Sequence, residues 1–280
     1  PVAGERGFLG ARLVFRDLDP DISDFDGVAQ WNKIADTRER RYPDGFSVEA
    51  WTLGSRYQKP ARGERALASL ADQYHNSCLA LTGQGGPDSG ELERSATWMT
   101  NNRIAYYGPE RASASVQAAN GGLTGFWFDP ESRTRWPFTG VVFQAQQIVA
   151  GHFLNTDSTG KLAIKPSTET PYPGSEDAGV TTRFDVPDPQ ASPPDLTDAD
   201  WDRSAAGVYG GVTAMTSTSG GLLNLKVTPA GAVSGGFEID GERRSFRGTL
   251  DENGFARFHV PRGSGLPEGV ITLQIGRAHV

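Results

Sequence analysis

Val233-Ser234-Gly235-Gly236-Phe237-Glu238-Ile239-Asp240-Gly241-Glu242-Arg243-Arg244-Ser245-Phe246-Arg247-Gly248-Thr249-Leu250 is the stretch that decides the fold. Two strand-like runs flank Asp240-Gly241, a dipeptide that takes positive φ at little cost and closes two-residue hairpins. Similar turn chemistry stands on either side, as Thr228-Pro229-Ala230-Gly231 and Asp251-Glu252-Asn253-Gly254. Breaks this close together suit strands rather than long helices. Runs at 207–214, 222–227, 232–239, 244–250, 256–260 and 270–273 therefore read as a β-meander. Asp240, Gly241, Asn253 and Gly254 are its predicted turn residues.

The pattern has an echo upstream. Leu123-Thr124-Gly125-Phe126-Trp127-Phe128, followed by Trp136-Pro137-Phe138-Thr139-Gly140-Val141-Val142, matches Val233–Phe237 followed by 245–250. Each has glycine after a hydroxyl residue, a strand, a polar turn, then Phe-x-Gly and a second strand. A repeated hairpin can bury its apolar face only against other hairpins. Gly125, Gly140, Gly235 and Gly248 read as structural turn or bend positions, or as places where strands come close.

Further strands are expected at 11–15, 28–34, 46–53, 79–82, 113–118, 138–143, 148–154 and 161–164. In Phe46-Ser47-Val48-Glu49-Ala50 the apolar residues fall at every second position, which puts them on one face of a strand. Only 62–73 has helix-like composition; it reads as one short helix or as a loop crossing a barrel mouth. The fold class is all-β: an antiparallel barrel or sandwich of repeated hairpins, with a second, smaller β-meander.

The texture changes between 166 and 204, where prolines and aspartates crowd together. Proline lacks an amide donor, so this stretch cannot join a central sheet and reads as an extended linker. The expected organisation is a barrel or sandwich at 1–165, a linker at 166–204 and a small meander, read as truncated, at 205–274. Ile275-Gly276-Arg277-Ala278-His279-Val280 reads like one frame of a sequencing adapter and is set aside as a non-native tail. The chain starts at Pro1, so an upstream segment is expected, and no signal peptide is visible.

Apolar residues make up 37% of the chain and aromatics 10%, with Gly 35 and Pro 18. That suits many short strands and turns around a real core. The net charge of −7 argues against nucleic acid, which needs basic patches, and against docking on an anionic membrane surface. No apolar run is long enough to span a membrane as a helix. Cys78 is the single cysteine, so neither an internal disulfide nor a cysteine zinc site can form.

Three stretches carry a resemblance. The first is 49–60, with Gly54-Ser55-Arg56-Tyr57. The second is 122–166, with Phe128-Asp129-Pro130, Gln144-Ala145-Gln146, Gly151-His152-Phe153-Leu154 and Ser158-Thr159-Gly160. The third is the meander from 207 to 273. Together they resemble a repeated all-β module of very large exported and cell-surface proteins of environmental bacteria. The resemblance implies an extracellular or outer-surface location, neighbouring domains of one long polypeptide as partners, and no activity. In such modules an aromatic often stands in the place of His152, which argues against a catalytic imidazole there.

Some residues still invite chemistry. Asp17, Asp19 and Asp21, with Asp24 and Asp26, offer alternating oxygen ligands of the kind calcium takes. Their spacing fails the helix-loop-helix calcium loop, because Ile22 stands at its sixth position and Val28 at its twelfth. Phe126 and Phe128 share one face of their strand and Trp127 takes the other, so one face is core; Trp127 and Trp136 read as core packing or, if exposed, as a carbohydrate-stacking platform. His75, His152 and His259 share no ligand spacing, and the nucleophile-elbow, His-Glu-x-x-His and phosphate-loop patterns are absent. The expected function is a non-enzymatic structural or adhesive module. A carbohydrate-binding module using the tryptophans is the alternative, and a glycoside hydrolase with a carboxylate pair the next. No cofactor is expected beyond calcium; polysaccharide or another cell-surface ligand is a candidate partner.

Overall fold

A computed structural model describes residues 8–15, 24–35, 37, 42–83, 91–155, 159–167, 205–214, 220–239, 242–260 and 269–274. The described chain is all-β. It opens with β1 (Phe8–Phe15), β2 (Phe25–Lys33) and β3 (Phe46–Tyr57). Next come β4 (Ser77–Thr82), β5 (Glu91–Trp98), β6 (Arg103–Ala105), β7 (Arg111–Val116), β8 (Gly122–Phe128), β9 (Arg135–Phe143), β10 (Ile148–Leu154) and β11 (Thr159–Pro166). The last group is β12 (Gly207–Ala214), β13 (Gly220–Val227), β14 (Ala232–Ile239), β15 (Glu242–Thr249), β16 (Phe255–Val260) and β17 (Gly269–Gln274).

β4 to β11 form a closed antiparallel barrel, with β11 pairing back on β4 from Lys161↔Thr82 to Pro166↔Ser77. The other nine strands form one curled sheet in the order β15-β14-β13-β12-β3-β2-β1-β17-β16. The ladders thus group the strands otherwise than the division expected at 165 and 205. β1 to β3 belong with the C-terminal strands, and the barrel is inserted between β3 and β12, which pair from Val208↔Tyr57 to Ala214↔Trp51. The stretch 168–204, read as a linker, lies outside the described residues, as does the tail 275–280.

Alternation explains the barrel core. Ala114 and Val116, Leu123 and Trp127, Trp136, Phe138 and Val142, Val149 and Phe153, Leu162 and Ile164 all point inward from successive strands. The 58–76 connection closes one mouth as a series of turns, so the loop alternative for 62–73 holds and the helix does not form. Ala66, Leu67 and Leu70 plug the core. Asn102 Oδ1 accepts from the Ala66 amide at 2.7 Å and from Trp98 Nε1 at 3.1 Å, while Asn76 Oδ1 accepts from the Trp98 amide at 2.8 Å. These two asparagines supply the hydrogen bonds that buried backbone and indole donors need.

The barrel packs on the curled sheet through a third apolar cluster: Val141, Phe143 and Ala150 against Val212 and Leu222. Gly210 lets the backbones approach, since a Cβ there would lie 2.9 Å from Val141 Cβ. The inner face of the curled sheet holds a separate core around Leu13, Phe25, Tyr209, Phe237, Phe246, Phe258 and Leu273.

The four repeat glycines are not turn residues. Gly125, Gly140, Gly235 and Gly248 all lie within strands and have no positive φ. What they provide is room: a Cβ at Gly125 would sit 2.3 Å from the Phe138 ring, and one at Gly235 2.6 Å from the Phe246 ring. The Phe-x-Gly signature is thus partly a ring lying over a glycine on the neighbouring strand. Gly254 does occupy a turn, with φ +70° and its amide donating to the Asp251 carbonyl at 3.0 Å. Asp251 Oδ1 accepts from the Asn253 and Phe255 amides at 2.9 Å. Asp240 and Gly241 lie outside the described residues, although their flanks pair from Ile239↔Glu242 outward.

Candidate functional site

Trp127 and Trp136 pair directly across β8 and β9, and both point into the barrel core, at 1% and 6% exposure. Both rings are core, and the alternative of a sugar-stacking platform on them is not formed. The strand parity was legible: Phe126 and Phe128 share the other face and lie half-buried on the outside of the barrel. The Arg135 guanidinium covers the Phe126 ring at 4.4 Å. Either face of an aromatic-rich strand can be core, and the neighbouring strands decide which.

The wall beside Trp127 holds a connected polar cluster near the barrel core. β6 is only three residues long, so the 106–110 segment stands where strand would otherwise continue. Arg94 occupies the same β5 parity as the buried Leu92, Ala96 and Trp98. Its Nη2 lies 3.0 Å from Glu110 Oε1, and its guanidinium lies 5.9 Å from the Trp127 ring centre. Tyr106 packs on the same ring at 4.9 Å and donates its hydroxyl proton to Glu110 Oε2 at 2.5 Å.

The electrostatics follow from this contact set. Burial pushes the Glu110 carboxyl up, but hydrogen bonds from Tyr106, its own backbone and Arg94, with the Arg94 charge, hold it below 4.5. Burial first, then Glu110, pushes the Tyr106 hydroxyl well above its ordinary value. The gap behind Tyr106 is about 10 Å³, lined by Leu79, Ile104, Trp127 and Phe138 among others. A hole that small and apolar does not host a ligand. The cluster brings one carboxylate to the wall, where glycoside hydrolysis needs two at about 5–10 Å. Its chemistry is that of a stitch between β5 and the loop before β7.

Other sequence candidates are dispersed. Asp17, Asp19 and Asp21 lie outside the described residues. Asp24 accepts from Ser55 Oγ at 2.9 Å and from the Arg56 amide at 2.5 Å, so its carboxylate ties the start of β2 to β3. Among the described residues, no three His, Cys, Asp or Glu side chains gather as a metal site. His152 is 2% exposed and pairs in register with Thr139, whose hydroxyl donates to Glu238 Oε1 at 3.3 Å. It lies on the barrel face that carries Ala150 against the curled sheet. Cys78 is buried on β4. His259 is exposed on β16.

Besides the contacts of Glu110 with Arg94 and Tyr106, sequence reasoning missed a pairing at the barrel mouth. His75 Nδ1 lies 3.1 Å from Ser95 Oγ, with the His75 backbone at φ 59° and its amide donating to Thr97 Oγ1 at 2.9 Å. The two residues meet because the mouth loop returns to β4 alongside β5. No spacing rule links positions so placed.

Comparison with protein-family models, curated proteins and solved structures found no match for this chain. Among the described residues, no helix is long and apolar enough to cross a membrane.

Proposed function

We propose that this chain is a non-catalytic structural or adhesive module of a long bacterial protein, secreted or attached to the outer cell surface. Its first partners are the neighbouring domains of that polypeptide. One observation carries the reading: side chains with chemical promise are spent on packing and stitching. Trp127 and Trp136 fill the barrel, Arg94, Tyr106 and Glu110 brace its wall, and Asp24 joins strands. A barrel filled by its own side chains, with its outer face packed on a second sheet, suits holding other domains at a fixed spacing.

The test is to incubate the folded chain with insoluble polysaccharides and with glycan substrates. We expect neither retention nor release of reducing ends. Retention would favour a carbohydrate-binding module on a surface other than Trp127 and Trp136, and released reducing ends would favour a glycosidase. Melting with and without a calcium chelator checks Asp17, Asp19 and Asp21; a lowered midpoint would assign calcium to this module.

A further inference from the structure

We infer that the curled sheet carries tension along the polypeptide, from the chain before β1 to the chain after β17. The inference rests on reading the chain as a spacer within a longer protein. β1 and β17 are immediate neighbours and parallel, with Arg12↔Thr272, Leu13↔Leu273 and Val14↔Gln274 in register. In a parallel pair both strands run the same way. The chain before Phe8 therefore departs from one end of the pair, and the chain after Gln274 from the other. Pulling on the two drives the strands past each other lengthwise. The ladder bonds are then loaded together. Had the two strands been antiparallel, both departures would lie at one end and the bonds would open singly.

Side chains oppose the sliding as well. Leu13 and Leu273 stand side by side, at 1% and 0% exposure, in the core of the curled sheet. A slip of one residue would turn a strand's core side chains to the opposite face. Neither strand is an edge: β1 also pairs with β2 from Phe8↔Asn32 to Phe15↔Phe25, and β17 with β16 from Phe255↔Gln274 to Val260↔Gly269. The barrel stands off the line of force. Tension crosses from β1 to β17 directly, and the β3–β12 ladder bridges the points where the barrel joins the sheet.

Single-molecule force spectroscopy on the full chain tests this. One geometry holds the two termini. The other holds the C-terminus and a ligation tag inserted between Pro20 and Asp21, in the connection that follows β1, so the β1–β17 pair is pulled from one end. With three residue pairs loaded together instead of one at a time, the first geometry should rupture at roughly threefold higher force. Equal forces would overturn the inference.

The unmodified chain supplies a second measurement, independent of how the tagged one folds. The dependence of rupture force on pulling rate gives the distance to the barrier. Shear requires a distance below the rise of one residue, about 3.3 Å, and a longer one would overturn the inference. These outcomes are separable from the function tested above. Binding to a polysaccharide by a chain that still shears would overturn the spacer reading alone.

Discussion

Leu13 and Leu273 lie opposite each other on parallel strands, so the first and last described strands close around a shared core. Each is almost fully enclosed, and truncating a buried leucine removes its transfer energy and leaves a cavity. Leu273→Ala should destabilise the curled sheet by about 2–5 kcal/mol. Denaturant titration should show a lower midpoint with an unchanged slope. A midpoint equal to the parent's would mean that β17 does not seal the core.

The strand glycines differ in what a side chain would strike. At Gly140 a Cβ would meet the Ala150 carbonyl oxygen and Val149 Cγ1, each at 2.9 Å, and the carbonyl belongs to a fixed ladder. Gly140→Val should cost about 1–3 kcal/mol, as overpacking does. At Gly248 the obstacle is the Phe258 ring at 2.8 Å, itself 2% exposed and held in the core of the curled sheet. Gly248→Val should cost a similar amount, about 1–3 kcal/mol, because the buried ring must shift. A thermal melt unchanged in either variant would refute the close-approach account.

Trp127→Ala and Trp136→Ala should each cost about 3–5 kcal/mol, because both rings are core. The double variant should lose its near-ultraviolet circular dichroism. A folded double variant with native melting would contradict the burial of the pair.

Glu110 sets an acid limb. Its folded carboxyl titrates below 4.5, so the stability it supplies is present above its unfolded value. That contribution is lost as pH falls through the lower, folded value. Glu110→Gln should therefore flatten the decline of melting temperature below about pH 4.5. An unchanged acid limb would remove Glu110 from the account.

Tyr209 sets part of an alkaline limb. Burial pushes its hydroxyl up to about 12, and it donates to the Ala205 carbonyl at 2.6 Å. A value raised in the folded state gives stability that is complete below the unfolded value near 10 and lost as pH climbs to 12. Tyr209→Phe should be less stable at neutral pH and should lose less between pH 10 and 12. Parallel curves for parent and variant would count against it.

Much of the fold was legible because turns and alternation are local. Gly254 and Asp251 mark a real turn, and all six predicted C-terminal runs correspond to strands. β5 was missed because Arg94 occupies an inward position and Glu91 and Glu93 make the segment look polar. β6 is too short to carry a period. The pairing of β3 with β12 and of β1 with β17 was not legible, because partner choice between distant strands leaves no mark in either local pattern. At the site, the sequence marked Trp127 and Trp136 but not their face. The contact of Arg94 with Glu110 depends on a short β6 that only the fold reveals.

The insertion of the barrel bears on how the chain finds its fold. Tyr57 and Val208 are partners across a ladder, yet the whole barrel lies between them in sequence. Bringing such distant residues together in an open coil carries a large loop-closure entropy. A barrel that closes first ends where it began, because Pro166 pairs with Ser77. The detour then shortens to the two connections that flank the barrel, 58–76 and 167–206, which lowers the closure cost modestly because that cost grows only with the logarithm of loop length. The inserted body thus acts as an intramolecular template for the sheet around it, with β17, last off the ribosome among the described strands, completing that sheet.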